Sequence, residues 1–415
     1  MGHAMSQEET APGYLAELLA NWRPLLAATI GMGSGMSIVG VITSTIAPTL
    51  VADTGWSKAD FALVGSLSLI TSFAFPFIGR LADMIGVKMT ALIGQVTVPL
   101  VYLAYSLMSG ELWHYLAIFG FQSFVCVTTT ATVYTRLAVQ YIKGARGLAL
   151  AIVASGPAVT GIILAPILNT YVETHGWRES YQAMALFAAV AGLITFLLIP
   201  SGGKKGDEPA KAPPKRRARE DYPVIFRSFP FWILLIAMLL CNLPATIYLV
   251  QLKMLLLENG ISGPGAAVML STLSAGMLAG RFITGVALDR FRSHIVSFIT
   301  LGLPSLGLFV IASSYDSPAV LTAAVFSLGF AFGAEGDIVA YLVARHFPVD
   351  IYSSVLGLLT AAMSFSTAAG AAILSLTMAR TGGFDLYLVI VGTAVLIGAA
   401  SLLTLGGRRG SASPA

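Results

Sequence analysis

An all-α membrane protein of twelve transmembrane helices, divided six and six, is what this sequence predicts. Three observations predict it. Of its 415 residues, 56% are hydrophobic and only 11% are charged, about half the charged share of an ordinary soluble domain, and mean hydropathy is +0.82. Apolar stretches of about 20 residues, enough to cross a hydrocarbon core roughly 30 Å thick, recur twelve times. One long polar segment, SGGKKGDEPAKAPPKRRAREDY from Ser201 to Tyr222, separates the first six stretches from the last six. It is Pro-rich and basic and has nothing to bury, so it reads as a disordered linker.

The spans of the first half are expected at 24–50, 61–82, 89–108, 112–138, 147–170 and 179–200. Those of the second are expected at 229–252, 266–288, 294–313, 317–343, 354–378 and 384–405. The organisation is therefore a tail over 1–23, a bundle over 24–200, a linker over 201–228, a bundle over 229–405 and a tail over 406–415. Tyr222–Arg227 mixes aromatic and charged residues. It is either a short amphipathic piece on the membrane surface or a plain linker end. Met5–Asn21 is polar and acidic, without the basic start and apolar core of a secretory signal peptide. Cys126 and Cys241 lie in apolar runs and read as small buried thiols.

Lys and Arg in the loops orient the chain. With the N-terminus in the cytoplasm, 19 of the 24 basic residues fall on one side and four (Lys58, Arg178, Lys253, Arg380) on the other. Both termini are therefore expected in the cytoplasm, and the protein in the cytoplasmic membrane. Arg281 is the one basic residue left inside a span.

An internal repeat supports the division. Gly79-Arg80-Leu81-Ala82-Asp83 and Gly285-Val286-Ala287-Leu288-Asp289 are both Gly-x-x-x-Asp at the inner end of the second span of a half, 206 residues apart. The first copy runs on to Gly86 and Lys88 and resembles the signature loop of the major facilitator superfamily, G-x-L-x-D-x-x-G-x-K. The resemblance implies two pseudo-symmetric six-helix bundles, a central cavity and alternating access. Gly79, Arg80, Asp83, Lys88, Asp289 and Arg146 are expected to gate and pack, not to bind substrate.

Further stretches resemble the monocarboxylate transporters. Tyr141-Ile142-Lys143-Gly144-Ala145-Arg146-Gly147-Leu148-Ala149, continuing to Val153-Ala154-Ser155-Gly156, is similar to their entry into span 5. It departs at Ala151 and Ser155, where glycine and alanine are usual. Gly329-Phe330-Ala331-Phe332-Gly333 and Tyr352–Leu358 look like their spans 10 and 11. The oxalate/formate antiporter family is a second neighbour and also places an Arg on span 8.

Arg281 lies eight residues before Asp289, about 12 Å deeper at about 1.5 Å per residue. A charge at that depth is unfavourable by roughly 2.5–3.5 kcal/mol, and a guanidinium cannot shed its proton. It must face a cavity, an acid or an anionic ligand. Its fork suits a carboxylate, and in monocarboxylate transporters the matching Arg binds the substrate carboxylate. The competing reading is an internal ion pair with Glu335 or Asp337. The family's Asp four residues earlier is here Met277, and span 1 lacks the family's Lys, so proton coupling rests on the relatives alone. A single buried cation suits a small monocarboxylate such as lactate or pyruvate better than oxalate, whose second charge would stay unpaired; span 11 contains no Lys or Arg from Ser354 to Met378.

Gln122, Asn242, Tyr248 and Ser364 are polar candidates for a substrate hydroxyl, although such residues also bond between helices for structure. The resemblance gives Phe332 a place near the substrate. Glu335 and Asp337 are candidates for carrying a proton, for gating with Arg345 or Arg146, or for a structural role. The expected partners are a small monocarboxylate anion, a co-transported proton and lipid. No nucleic acid, metal or cofactor is expected, and the protein is expected to be a monomer. An anion antiporter of the oxalate/formate type and a non-transporting membrane sensor are the rivals; short tails argue against the sensor. A drug exporter would favour a lone acid over a lone Arg. No phosphate loop, nucleophile–base pairing or metal cluster suggests an enzyme.

Overall fold

The computed structural model describes residues 13–56, 68–200, 218–313 and 317–406. Most of the linker, part of the expected second span (61–67) and the outer tails lie outside the described residues. Among the described residues nine helices are long and apolar enough to cross a membrane. One of them, Arg146–Leu198, runs for 53 residues and breaks at Gly176, where φ is 81°, so it holds two spans.

The twelve spans, in order, are α1 (Trp22–Gly33, resuming at Val39–Thr54), α2 (Ser68–Ile85), α3 (Val87–Leu107), α4 (Leu112–Tyr141), α5 (146–175) and α6 (177–198). The second half contains α7 (Phe229–Cys241, resuming at Leu252–Glu258), α8 (Gly263–Arg290), α9 (Ser293–Ile311), α10 (Pro318–His346), α11 (Tyr352–Thr381) and α12 (Asp385–Ser401). No strand occurs among the described residues.

Three spans are less regular than their hydropathy predicts. α1 loosens at Ser34 and Gly35 into a 3-10 turn at Met36–Ile38. α7 ends at Cys241, and Pro244 stands before a π-helical turn at Ile247–Gln251. The two breaks occupy equivalent points of the two halves. α4 tightens at Cys126–Thr129, where Thr128, Thr129 and Thr130 turn their hydroxyls onto the carbonyls of Val125, Cys126 and Val127 at 2.6–2.8 Å. Such back-bonding competes with the helical ladder.

Each half begins with a short helix, Tyr14–Ala20 and Ala218–Arg227. The second meets α7 at 72°, so Tyr222–Arg227 is an amphipathic piece and not a plain linker end. Tyr222, Phe226, Phe231 and Trp232 pack ring against ring across this corner.

The halves meet along α2–α11 and α5–α8, and the repeat explains how. Gly79 lies against the Ser353 carbonyl, and Gly285 against that of Gly147; a side chain at either would push the helices apart. Asp83 accepts from the backbone N–H groups of Ser353 and Ser354 at 3.2 and 2.6 Å. Asp289 accepts from those of Gly147 and Leu148 at 2.7 and 3.1 Å. Each carboxylate thus sits on the free amides at the first turn of a helix in the other half, where the helix dipole favours negative charge. The donor pairs are themselves 206 residues apart, like the aspartates. Arg136 adds an ion pair to Asp83 at 2.5 Å, and the Tyr14 hydroxyl donates to Asp289 at 2.9 Å. Burial, then that hydrogen bond, push the Tyr14 hydroxyl above the usual phenol range, so it remains a donor at neutral pH.

The short helices repeat the exchange. Tyr14 reaches across to α8, while Asp221, before α7, pairs with Arg80 of α2. Tyr352 donates to Thr135 Oγ1 at 3.0 Å, also between halves. These links share one end of the bundle, the end where the basic loop residues gather. Replacing Asp83 with Asn should open it, since each hydrogen bond to a charged group is worth about 1.5–3 kcal/mol. Cys126 and Cys241 are buried, so a Thr135→Cys thiol can be followed with little background. It should label several-fold faster with a polar maleimide when Asp83→Asn is added; an unchanged rate would contradict the latch.

Candidate functional site

Small residues build the site. Gly276 and Gly280 on α8 face the carbonyls of Phe326 and Phe330, and Gly329 and Gly333 on α10 face those of Leu273 and Met277. These are two Gly-x-x-x-Gly stripes packed backbone to backbone, the small-residue interface common between membrane helices. The register puts Arg281, the next residue after Gly280, beside Asp337, one turn past Gly333. Adding a Cβ at Gly280 should force the helices apart. Gly280→Leu should lower the melting temperature by several degrees, overpacking being worth about 1–3 kcal/mol.

Arg281 Nε stands 3.8 Å from Asp337 Oδ2. Nη1 donates to the Ala154 carbonyl on α5, so the guanidinium bridges the two halves. Its side chain is 23% exposed and that of Asp337 only 4%. The cation therefore fronts open space with the acid behind it. The contact is long for an ion pair, and Asp337 Oδ2 has no hydrogen-bond partner among the described residues. Met277, at the expected acidic position, instead presents its carbonyl to Gly333, and the acid near Arg281 comes from another helix.

The fold and the chain's own matches now decide the family. Residues 25–371 match the Major Facilitator Superfamily. The chain belongs to that superfamily. It is a transporter and not an enzyme. Among the superfamily's curated members, human monocarboxylate transporter 11 is 24% identical over 367 residues, covering 85% of this chain and 76% of the relative. The mouse protein of the same name is 23% identical over 407 residues, covering 91% and 86%. Solved structures agree in fold. The E. coli fucose:proton symporter superposes with a TM-score of 0.70 at 11% identity, across 93% of this chain and 98% of that one. A bacterial homologue of the iron transporter ferroportin in an outward-facing state gives 0.69 at 16%, across 94% and 99%.

Within this superfamily fold the other expected residues divide into three groups, the first of which gains Thr367. Glu335, Asn242 and Thr367 meet at the break of α7: Asn242 hydrogen-bonds the Glu335 side chain, and Thr367 donates to Asn242 Oδ1 at 2.8 Å. Glu335 and Asn242 are the counterparts, 206 residues on, of Thr129 and Met36. In the first half Thr129 Oγ1 accepts from the Met36 N–H at 2.8 Å, at the break of α1. Glu335 thus occupies the place of a residue that holds a broken helix. Its Oε1 has no partner among the described residues.

Phe332 and Tyr248 form the second group, with ring centroids 4.7 Å apart. They lie on α10 and on the π turn of α7. The remaining residues are not gathered at Arg281. Gln122 is 1% exposed and accepts from Tyr105 at 2.9 Å, within the aromatic packing of the first half. Ser364 donates to the Thr360 carbonyl of its own helix at 3.1 Å. Lys88 holds its ammonium over the Phe196 ring, 4.7 Å from the centroid, and not against Asp83. Neither acid of α10 meets the basic residues expected for a gate: Arg146 donates to the Ala344 carbonyl at 3.3 Å, and Arg345 hydrogen-bonds Tyr341. Sequence reasoning did not assign the Gly-x-x-x-Gly stripes, although Gly276 and Gly280 flank the positions just before Arg281. Nor did it find Thr367, one threonine among many.

Proposed function

We propose that the protein carries a small monocarboxylate together with a proton across the cytoplasmic membrane by alternating access, with both termini in the cytoplasm. The observation that carries this reading is the Arg281–Asp337 arrangement. One guanidinium faces two claimants, the buried Asp337 and the incoming carboxylate. In a weakly screened interior both negative charges cannot be matched by one positive charge. A proton on Asp337 releases Arg281 to the substrate, and loss of that proton restores the pair once the substrate has gone. The name of the curated relatives and the proton symport named for the fucose structure support the same reading.

Phe332 and Tyr248 then bound the apolar side of the substrate, and Asn242 is assigned as the partner for a hydroxyl. Glu335 is assigned to holding the break of α7. The Asp83 and Asp289 latches close the cytoplasmic end, and their release would open the site inward. Competition tests the substrate class. In proteoliposomes, unlabelled pyruvate and lactate should suppress radiolabelled lactate uptake, and oxalate should not at equal concentration. If oxalate competes as well as lactate, the anion antiporter reading replaces this one.

A further inference from the structure

A groove of about 700 Å³ opens on the membrane face of the second half, between α8, α9 and α10. Ile283, Ile299 and Phe330 line it together with Arg290, Phe291 and Arg292, which mark its mouth where α8 gives way to α9. Ile283, Ile299 and Phe291 are exposed at 59%, 59% and 68%. The mouth is at the basic end of the bundle. From Arg290 to Ile283 the groove descends on the order of 10 Å along α8, from the headgroup level into the hydrocarbon.

Neither arginine has an ion-pair partner among the described residues. Asp289, the nearest acid in sequence, is engaged by Gly147, Leu148 and Tyr14. Arg290 lies over the Tyr14 ring at 5.7 Å, an exposed and weak contact. Thr284 and Thr300, also lining the groove, face each other at 3.3 Å.

The pseudo-symmetric place in the first half carries bulkier rings and no arginine at the matching positions. Phe77 and Phe124 stand where Ile283 and Phe330 stand, and Met84 and Gly86 where Arg290 and Arg292 stand. The two Phe rings lie 6.3 Å apart. A second membrane-facing groove of about 670 Å³, beside α5 and α6, is lined without a charged residue. Of these two grooves, only the one beside α8 and α9 has arginines in its lining, and neither arginine has an ion-pair partner among the described residues.

We infer that this groove binds an anionic glycerophospholipid, with Arg290 and Arg292 holding the phosphate and an acyl chain lying between Ile283 and Ile299 over Phe330. Charge complementarity selects the occupant: neutral lipids can fill the trough, but an additional net negative charge is attracted by basic residues at the membrane surface. Arginine in pairs suits a phosphate.

Native mass spectrometry of the full chain, purified in detergent and given phosphatidylglycerol or phosphatidylcholine, tests this. The protein should retain phosphatidylglycerol roughly thirtyfold better, the preference expected from two basic contacts. Arg290→Ala/Arg292→Ala should reduce that preference to near unity. Ile283→Phe, which copies Phe77, should weaken retention with both arginines present. All these positions are exposed or at the groove wall, and melting curves check that the variants are folded. Equal retention of the two lipids by the wild type, or full retention by the double variant, overturns the proposal. So does displacement by millimolar inorganic phosphate with Ile283→Phe unaffected, which would make it a site for a free anion.

Discussion

Arg281→Ala should weaken lactate binding by about a hundredfold. Truncating one member of a desolvated charge pair typically changes affinity by about 2–5 kcal/mol, and about 2.7 kcal/mol is a hundredfold. Part of that effect is damage, because Asp337 is left behind at 4% exposure without its cation. The double variant Arg281→Ala/Asp337→Asn separates the two contributions. It removes both charges, so it should melt near the wild type and still fail to bind. Arg281→Lys should recover only part of the affinity: an ammonium supplies the charge but not the planar fork, and its shorter reach relinquishes the Ala154 carbonyl. Binding by the double variant at wild-type strength would assign Arg281 to structure alone.

Asp337→Asn should separate exchange from accumulation. An amide is isosteric with a protonated carboxyl but cannot release a proton. Arg281 would then be permanently available to substrate. Lactate-for-lactate exchange should persist, while accumulation driven by an inward proton gradient should fall at least about tenfold, to the level of a collapsed gradient. The corresponding change Glu335→Gln should have a smaller effect on coupling and a larger one on stability, since Glu335 supports the break of α7 through Asn242. If Glu335→Gln abolishes gradient dependence and Asp337→Asn does not, the two acids must be exchanged in this account.

Much of the architecture was legible in the sequence because its signals are local. A run of apolar residues marks a span wherever it packs. The Gly-x-x-x-Asp copies announce their equivalence by composition and spacing. The depth of Arg281 follows from counting back from Asp289. What the sequence left open depends on register between helices. Asp83 and Asp289 were readable as helix-end acids, but their partners are backbone amides more than 130 residues away, and amides carry no sequence signature. The Arg281–Asp337 pairing follows from how Gly276 and Gly280 seat against Gly329 and Gly333. Each stripe is visible alone, yet nothing in either says that they face each other. The breaks in α1 and α7 were hidden because hydropathy registers apolar residues and not backbone hydrogen bonds; only Gly35 and Pro244 hinted at them. Gln122 illustrates the opposite limit: a polar side chain at mid-span can accept from Tyr105 within its own half and stay apart from Arg281.

The halves also solve one task by different means. Thr129 holds the break of α1 with a hydroxyl, and Glu335 holds that of α7 with a carboxyl. The Arg281 position is Phe75 in the first half, whose carbonyl packs on Gly357. The common scaffold keeps the latches symmetric, while the Arg281–Asp337 pair has no charged counterpart in the first half, where Phe75 and Ala131 stand.

The most direct test is radiolabelled L-lactate uptake into proteoliposomes, with an inward proton gradient imposed or collapsed, for the wild type and Arg281→Ala. The account predicts uptake by the wild type that depends on the gradient, and none above empty liposomes for the variant. Wild-type uptake that ignores the gradient, or uptake by the variant at the wild-type rate, would contradict it.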